Sequence, residues 1–302
     1  MRLVLRCAAL LLLCTTLIFC AGADSRGFPE GAVVILMYHQ VSDEIEAPTV
    51  VSSELLEEHI RAILEAGLPV MSLSELSRWL DDPEAGGSGV VLTFDDGYDS
   101  FYHHVFPLTS RYQIPASCFL IVSSSEPPPD SEPRGTAIPG HLSREQVREM
   151  SETGLVELGS HSYDGHRYVD TRGGSRPYLV EPLVDEDHAG FLERVKMDLD
   201  LSRQVLRSMT GTECLYFSYP YGWVTGALRD QVSQCGFDLA LTTRPGAVVP
   251  GMDRYLLPRM TVRPEMTGAD LLEAIRTEMA RAVRESRLSA GICEDTQHPF
   301  EH

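Results

Sequence analysis

Two adjacent carboxylates stand where an apolar run of the sequence ends. Asp95 and Asp96 follow the stretch VVLTF and precede Gly97. Neighbouring carboxylates repel one another, and removing either from water is costly unless a cation or a proton intervenes. By itself, an Asp-Asp-Gly run is most often a solvated turn. The pair therefore indicates chemistry only if a partner for its charge lies nearby.

A second stretch of the same kind supplies candidate partners. The apolar run LVELGS leads into H-S-Y-D-G-H, which places His161 and His166 after another predicted strand. Imidazole and carboxylate are ordinary ligands of zinc and related cations, and three protein ligands leave a position open for water. Taken singly, such histidines are more often structural or exposed. The coincidence at two strand ends favours a metal site in which one aspartate binds the cation and the other acts as a base.

The elements that would bring these groups together alternate along the chain. Apolar, β-rich runs are separated by segments of helical periodicity, which predicts parallel β/α units, either open or closed into a barrel. In both arrangements the active site collects at the carboxyl ends of the strands. Strands are predicted at 32–38, 90–94, 116–122, 155–160, 215–219, 237–243 and 254–262.

Capping boxes and apolar stripes predict the helices. Ser72 with Glu75, and Ser143 with Gln146, have capping-box spacing and each pair predicts a helix start. Apolar stripes predict further helices at 53–66, 188–209 and 269–286. The stretches 123–140 and 169–187 are longer than ordinary connectors, which predicts either substrate-facing loops or plain surface insertions.

The composition is ordinary for a soluble globular protein. The chain has 302 residues, of which 43% are hydrophobic and 23% charged, and we find no interdomain linker. We therefore expect a single catalytic domain at 24–302. The 25 basic residues against 44 acidic ones argue against a broad electrostatic interaction with nucleic acid or anionic lipid.

The first 23 residues have the layout of a secretory signal peptide. Two arginines precede an apolar run, and the small residues Ala21-Gly22-Ala23 follow it. This predicts a periplasmic or extracellular protein. A lipid anchor at Cys20, as in an outer-membrane lipoprotein, is the weaker interpretation because bulky Phe19 stands where a small residue is expected.

The four cysteines after this leader show no zinc-cluster spacing. None of them forms a C-x-x-C motif, and Cys118 lies in an apolar run that predicts a buried strand. Export would permit disulfides. Cys214 and Cys235 flank a strand and the following helix, so they could meet, although sequence cannot fix connectivity.

Several motifs together resemble the polysaccharide deacetylases, also known as carbohydrate esterase family 4 or the NodB-homology fold. T-F-D-D-G (93–97) and H-S-Y-D-G-H (161–166) resemble the first two motifs of that family. I-L-M-Y-H-Q-V (35–41) and Y-P-Y-G (219–222) resemble its bacterial poly-β-1,6-N-acetylglucosamine N-deacetylases. The likeness runs from about residue 32 to about residue 285. It implies a distorted (β/α) barrel with a circularly permuted motif order.

The resemblance also implies catalytic roles. Asp96, His161 and His166 match the metal ligands of the family. Asp95 matches the general base that takes a proton from water, and His39 matches the general acid of this subgroup. The cofactor implied is a divalent cation; zinc is our first expectation, and nickel, cobalt or iron would accept the same ligands.

Substrate-binding residues are implied near the third motif. Tyr221 matches a residue whose backbone helps to bind the acetate oxygen, and we expect Tyr219 and Trp223 to contact sugar. The position at which many relatives carry an arginine is Phe217 here, so that function must be provided otherwise. Arg259 is the candidate to contribute to it and to substrate binding.

These features predict a secreted, metal-dependent N-deacetylase that acts on an N-acetylglucosamine polysaccharide, the β-1,6-linked polymer of biofilms. Chitin, peptidoglycan or acetylated xylan are alternative substrates, and exopolysaccharide export machinery is the expected partner. A catalytically silent carbohydrate-binding protein on the same fold is the alternative from another class. A magnesium-dependent phosphotransferase is disfavoured because paired histidines suit softer metals and no phosphate loop is present.

Overall fold

The computed structural model describes residues 27–82, 87–125 and 140–290. Its strands are β1 (Val33–Tyr38), β2 (Gln40–Val41), β3 (Val50–Val51), β4 (Gly89–Phe94), β5 (Ala116–Leu120), β6 (Val156–Ser160), β7 (Tyr168–Thr171), β8 (Gly174–Pro177), β9 (Tyr216–Ser218), β10 (Leu239–Leu241) and β11 (Met260–Thr261). Its α-helices are α1 (Ser53–Glu65), α2 (Leu73–Asp81), α3 (Phe106–Tyr112), α4 (Val122–Ser125), α5 (Arg144–Ser151), α6 (His188–Thr210), α7 (Gly226–Gln234) and α8 (Gly268–Ser289). A π-helical turn, Phe101–Val105, precedes α3, and a 3₁₀ turn, Pro220–Gly222, follows β9.

Seven parallel strands form the main sheet in the order β10-β9-β6-β5-β4-β1-β11. The central strands β1 and β4 read VVILMY and GVVLTF, and every residue in both is buried. Such continuous apolar runs are expected where helices cover both faces of a parallel sheet. All seven strands point the same way, so their carboxyl ends share one edge.

The segment 254–261 closes this sheet into a distorted barrel, as predicted. On one side, the backbone N–H of Ala240 donates to the carbonyl of Arg254 and that of Thr242 to the carbonyl of Leu257, both at 2.8 Å. On the other side, Met260 pairs with Leu36 of β1. The prediction of one strand over 254–262 was too long, because Pro258 interrupts the run and the strand is confined to Met260–Thr261.

The predicted helix starts are confirmed. Ser72 accepts a hydrogen bond from the backbone of Glu75, whose side chain accepts one from the backbone of Ser72. The corresponding pair, Ser143 and Gln146, opens α5. Helices α1, α6 and α8 lie within a few residues of their predicted bounds.

The two predicted loops differ from expectation in different ways. The stretch 169–187 contains most of an antiparallel hairpin, β7–β8, so the prediction of a loop throughout was wrong. Its strands are short and polar, which hides them from a search for apolar alternation. The other stretch begins with α4, and most of it lies outside the described residues, as do the predicted signal peptide and Cys20.

The three cysteines within the described residues are buried free thiols. Cys214 and Cys235 are therefore not joined in this structure. Burial raises the pKa of both thiols to about 12, which makes them poor nucleophiles. Across the described part of the chain, every helix is too short or too polar to span a bilayer.

Candidate active site

Three of the predicted site residues meet at the carboxyl edge of the sheet. The ligand atoms of Asp96, His161 and His166 lie within 4.8 Å of one another. Oδ1 of Asp96 is 3.5 Å from Nε2 of each histidine. Asp96 follows β4 and His161 follows β6, and only β5 separates these strands in the sheet. Their ends therefore bring the three donors to one point.

His161 is oriented by the neighbouring strand. Its Nδ1 lies 2.7 Å from the carbonyl oxygen of Ser218, at the end of β9. A carbonyl can only accept, so Nδ1 carries the proton and Nε2 presents a lone pair towards Asp96. Burial lowers the pKa of His161 to about 3, which leaves the imidazole neutral at physiological pH. A neutral, hydrogen-bonded imidazole is the form that ligates metals.

Asp96 is held in a conformation that L-residues rarely adopt. Its φ is 75°, and Ser162, next to His161, has a φ of 81°. Such backbone geometry costs of order 1–3 kcal/mol and persists only where the surroundings enforce it. Burial and the charge of Asp95 both raise the pKa of Asp96. The carboxylate of Asp96 and two imidazole nitrogens converge on one point. This arrangement fits a divalent cation, which would favour the ionised form of Asp96.

Asp95 is buried beside the triad and is paired with Arg259. Arg259 donates from Nη1 to one carboxylate oxygen at 2.8 Å and from Nη2 to the other at 2.6 Å. Burial acts to raise the pKa of Asp95, but the charge of Arg259 and its hydrogen bonds lower that pKa well below its ordinary value. The structure therefore keeps this carboxylate ionised.

The structure does not support a substrate contact by Arg259 or Tyr219. Both side chains are 0% exposed. Arg259 also donates to the carbonyl of Thr242 at 2.9 Å, and the Tyr219 hydroxyl donates to the carbonyl of Tyr255 at 3.1 Å. Arg259 is buried below the carboxyl edge of the sheet, where it binds the carboxylate of Asp95. Tyr219 is part of the core. The prediction that both contact substrate was therefore wrong; a fully buried arginine is rare, so its burial could not be expected from the sequence.

Ser218 is a site residue that the sequence analysis missed. Its hydroxyl lies 3.2 Å from Asp95 and 2.9 Å from Nη2 of Arg259, while its carbonyl accepts from His161. One residue thus touches the candidate base, its counterion and a candidate metal ligand. The only signal in the sequence was its position at the end of the strand LYFSY, next to the third motif.

Asp198, on α6, is the second missed residue. Its two carboxylate oxygens accept hydrogen bonds from the backbone N–H groups of Tyr163 and Asp164, each at 2.9 Å. These residues lie between the two histidines, so Asp198 fixes the loop that presents them. Burial raises its pKa to about 6. An aspartate inside the apolar stripe of α6, between Val195 and Leu199, was the signal available.

The remaining predicted residues surround the triad. His39 is partly buried after β1, and its charge lowers the pKa of both Asp95 and Asp96. Tyr221 has a φ of 57° and its ring lies 4.1 Å from that of His166. Trp223 follows the same turn and is 47% exposed. These positions are compatible with the predicted roles of acid and substrate-binding groups, which remain predictions.

The sequence is similar to those of known polysaccharide deacetylases. The sequence signature of the polysaccharide deacetylases matches residues 82–240. The poly-β-1,6-N-acetyl-D-glucosamine N-deacetylase of Escherichia coli K12 is 28% identical over 238 residues, which cover 72% of this chain and 35% of that protein. The chain thus spans about a third of the length of that relative.

Solved structures share the fold. IcaB from Ammonifex degensii is 26% identical, with a TM-score of 0.67 and coverage of 82% of this chain and 97% of that one. A de-N-acetylase from Aggregatibacter actinomycetemcomitans has a TM-score of 0.71 at 24% identity, covering 80% of this chain and 99% of that one. These matches confirm the predicted barrel of the deacetylase type.

Proposed function

This chain belongs to the polysaccharide deacetylase family, and from that premise we propose that it is a secreted, metal-dependent N-deacetylase of an exopolysaccharide. Its proposed substrate is poly-β-1,6-N-acetylglucosamine, the polymer named for the relative from Escherichia coli and for one from Staphylococcus epidermidis. Hydrolysis of the acetamido group would release acetate and leave an amine on the sugar.

The observation that carries this proposal is the convergence of three ligand atoms beside an ionised, arginine-paired carboxylate. Asp96, His161 and His166 would hold the cation, and zinc is the proposed metal because carboxylate and imidazole are its ordinary ligands. When bound, the cation supplies Lewis acidity, which lowers the pKa of water to about 7 in favourable sites and polarises a carbonyl.

Asp95 is the proposed general base. Arg259 fixes the carboxylate in place and keeps it ionised, so it is ready to accept a proton from the attacking water. Each carboxylate oxygen has two acceptor positions, so the bidentate contact with Arg259 leaves capacity for a further hydrogen bond. Ser218 adds a contact that restricts the rotation of the carboxylate.

His39 and Tyr221 complete the proposed machinery. An amine leaves poorly unless its nitrogen is protonated, and His39 is the residue proposed to deliver that proton. The backbone N–H of Tyr221, in the turn that packs on His166, is proposed to donate to the oxyanion that forms from the acetyl carbonyl. Losing one such donor typically costs roughly 2.7–4 kcal/mol of transition-state stabilisation.

The cellular setting is part of the same proposal. Residues 1–23 are proposed to direct export, which leaves a single catalytic domain at 24–302 in the periplasm or outside the cell. An exopolysaccharide is made for the cell exterior, so a deacetylase acting on it needs such a location. The proposed partner is the machinery that exports this polymer.

The test is acetate release from β-1,6- and β-1,4-linked N-acetylglucosamine oligomers, each with and without a chelator. We expect release from the β-1,6 series, loss of that release with chelator, and recovery on adding zinc. Release from the β-1,4 series instead would move the substrate to chitin or peptidoglycan. If neither these two series nor acetylated xylan yielded acetate with zinc, nickel, cobalt or iron, the result would support a carbohydrate binder on the deacetylase fold.

A further inference from the structure

Aromatic rings remain exposed beside the candidate metal site. Tyr168 is 52% exposed and Tyr221 is 37% exposed. The centroid of the Tyr221 ring lies 4.1 Å from that of His166 and 4.9 Å from that of Tyr168. The three rings form a continuous series that runs from a candidate metal ligand outwards to solvent. An apolar surface joined to a candidate active site in this way indicates contact with a ligand.

Tyr168 is presented by the β7–β8 hairpin, which begins directly after the loop 161–166, called the candidate metal loop because it carries His161 and His166. Tyr168 is the first residue of β7, two positions after His166, and it pairs with Pro177 of β8. The backbone N–H of Tyr178, just past β8, donates to the carbonyl of Arg167 at 2.9 Å. The hairpin is thus tied at its base to the chain that carries His166.

Arg194, on α6, holds the chain that follows β8 in place. Its guanidinium donates to the carbonyls of Tyr178 and Glu181 and to both carboxylate oxygens of Glu186. Two guanidinium groups contact the ring of Tyr178, that of Arg167 at 4.0 Å and that of Arg194 at 4.3 Å from its centroid. An exposed tyrosine on an element fixed this firmly loses little conformational entropy when it binds a ligand.

We propose that Tyr168 and Tyr221 form a subsite for the sugar next to the one being deacetylated. The inference rests on the proposed function, because it takes its ligand from the same polymer. The two rings are tilted by 53°, so they form an angled corner rather than a flat wall. The apolar C–H face of a hexose packs against such rings.

The aromatic character of the proposed subsite also determines which sugars it can bind. Acetylated and deacetylated sugars present the same apolar ring face, and an ammonium group on the latter is attracted to aromatic faces. The subsite therefore holds a neighbouring sugar before and after that neighbour has lost its acetyl group. This would let the enzyme act on a polymer that is already partly deacetylated.

The test compares Tyr168→Ala and Tyr168→Phe with the unmodified enzyme on two substrates. The β-1,6-linked N-acetylglucosamine pentamer fills the subsite, whereas 4-nitrophenyl acetate is too small to reach it. Tyr168→Ala should raise KM for the pentamer about 3- to 10-fold and leave kcat and 4-nitrophenyl acetate turnover unchanged. Tyr168→Phe keeps the ring and should behave as the unmodified enzyme does.

Leu215→Ala is the matched control. Leu215 is 38% exposed and lies before β9, at the opposite edge of the sheet, so its loss should change neither substrate. Equal KM values for Tyr168→Ala and the unmodified enzyme on the pentamer would overturn the proposal. An equal loss on both substrates would overturn it too, since that pattern reports damage to the catalytic site.

A binding titration separates this inference from the proposed function. Calorimetry with the pentamer is carried out on Asp95→Asn protein, with and without Tyr168→Ala, and requires no acetate release. Weaker binding by the double variant supports the subsite, and equal binding overturns it. If the unmodified enzyme released no acetate, the proposed function would fail while the titration would still decide the subsite.

Discussion

At the residue scale, the two neighbouring aspartates have opposite surroundings. Asp95 forms a bidentate ion pair with Arg259 and stays ionised, whereas burial and the charge of Asp95 raise the pKa of Asp96. Identical side chains one position apart are thus prepared for different roles. The charge of Asp95 is paired within the protein, and that of Asp96 would be paired by the proposed metal.

Substitution of each aspartate should therefore have a different effect. Asp96→Ala removes a candidate ligand and should abolish both zinc binding and acetate release. Asp95→Asn leaves the ligand set intact, so zinc binding should persist while kcat falls roughly 10²–10⁴-fold. Zinc content by elemental analysis and acetate release would measure the two effects. Normal turnover by Asp95→Asn would show that another group is the base.

Arg259 should contribute strongly to stability as well as to catalysis. Its side chain is 0% exposed and that of Asp95 is 2% exposed, so Arg259→Met leaves a buried carboxylate without a counterion. The free energy of unfolding should fall by roughly 3–5 kcal/mol. Urea titration would measure this change. Arg263→Ala, whose side chain is 63% exposed, is the control and should change stability by no more than about 0.5 kcal/mol.

A second variant makes the assignment to the charge pair specific. Adding Asp95→Asn to Arg259→Met removes the stranded charge and should restore part of the lost stability. If the double variant were as unstable as the sum of the two single variants, the effect would arise from packing rather than from the ion pair.

At the scale of elements, parallel strands carry the reactive groups and α6 aligns them. Strand β4 ends at the aspartates, β6 ends at His161, and β9 ends at Ser218. Helix α6 then supplies Asp198 to the candidate metal loop and Arg194 to the hairpin. One helix therefore positions both the candidate ligands and the proposed sugar subsite.

Asp198→Ala should make the candidate metal loop more mobile. Two backbone N–H groups would lose their acceptor, and groups that orient metal ligands commonly change affinity by about 10- to 100-fold. Zinc affinity, measured by competition with a chelating dye, should fall by that factor. Asp200→Asn, on the more exposed side of the same helix, should leave zinc affinity unchanged. Unchanged affinity in Asp198→Ala would show that the loop holds its shape without this carboxylate.

The stability that the Arg194–Glu186 contact gives to the base of the β7–β8 hairpin should depend on pH. Hydrogen bonds from Arg194 lower the pKa of Glu186 below its ordinary value of 4.5. A lowered pKa in the folded state adds stability above 4.5, and that stability is lost as the pH falls through the folded value. Glu186→Gln should therefore cost roughly 1–2 kcal/mol at neutral pH, and the difference from the unmodified protein should shrink in acid.

Urea titrations across the pH range would measure this difference. Glu193→Gln, at an exposed position on α6, is the control and should show no such dependence. A difference that stayed constant down to pH 3 would mean that the ionised form of Glu186 does not stabilise the hairpin.

The sequence predicted the elements whose signals are local. Capping boxes placed the starts of α2 and α5, and apolar runs placed most strands, because burial on both faces leaves a continuous pattern. The candidate ligands were identifiable because they follow those strands. Contacts between distant segments could not be predicted in the same way. The pairing of Arg259 with Asp95 and the hydrogen bonds of Asp198 to the candidate metal loop join segments that are far apart in the sequence. The hairpin β7–β8 was missed for another reason, because its polar strands show no apolar alternation.

At the scale of the whole molecule, a metal would join separate parts of the barrel. Its candidate ligands come from two strand ends and one loop, and the unfolded chain holds no such arrangement. Binding to the folded state alone stabilises a protein according to the concentration of free ligand. Because the net charge is −19, a cation would also relieve part of the electrostatic repulsion.

Zinc should therefore raise the free energy of unfolding. At a free concentration 100 times its Kd, the gain should be about 2.7 kcal/mol. Thermal or urea unfolding with and without chelator would measure it. Asp96→Ala should show no gain. An equal gain in that variant would mean that zinc binds elsewhere on this acidic surface.

The closure of the barrel by residues 254–261 determines when the active site can form during synthesis of the chain. Asp95 and Arg259 are 164 positions apart, so a chain growing from the ribosome presents the carboxylate long before its counterion exists. Until the last strand docks, burying the end of β4 would strand a negative charge in the interior. Maturation of the catalytic centre must therefore wait until Arg259 has been synthesised, and a product that terminated before this residue would be inert as well as unstable.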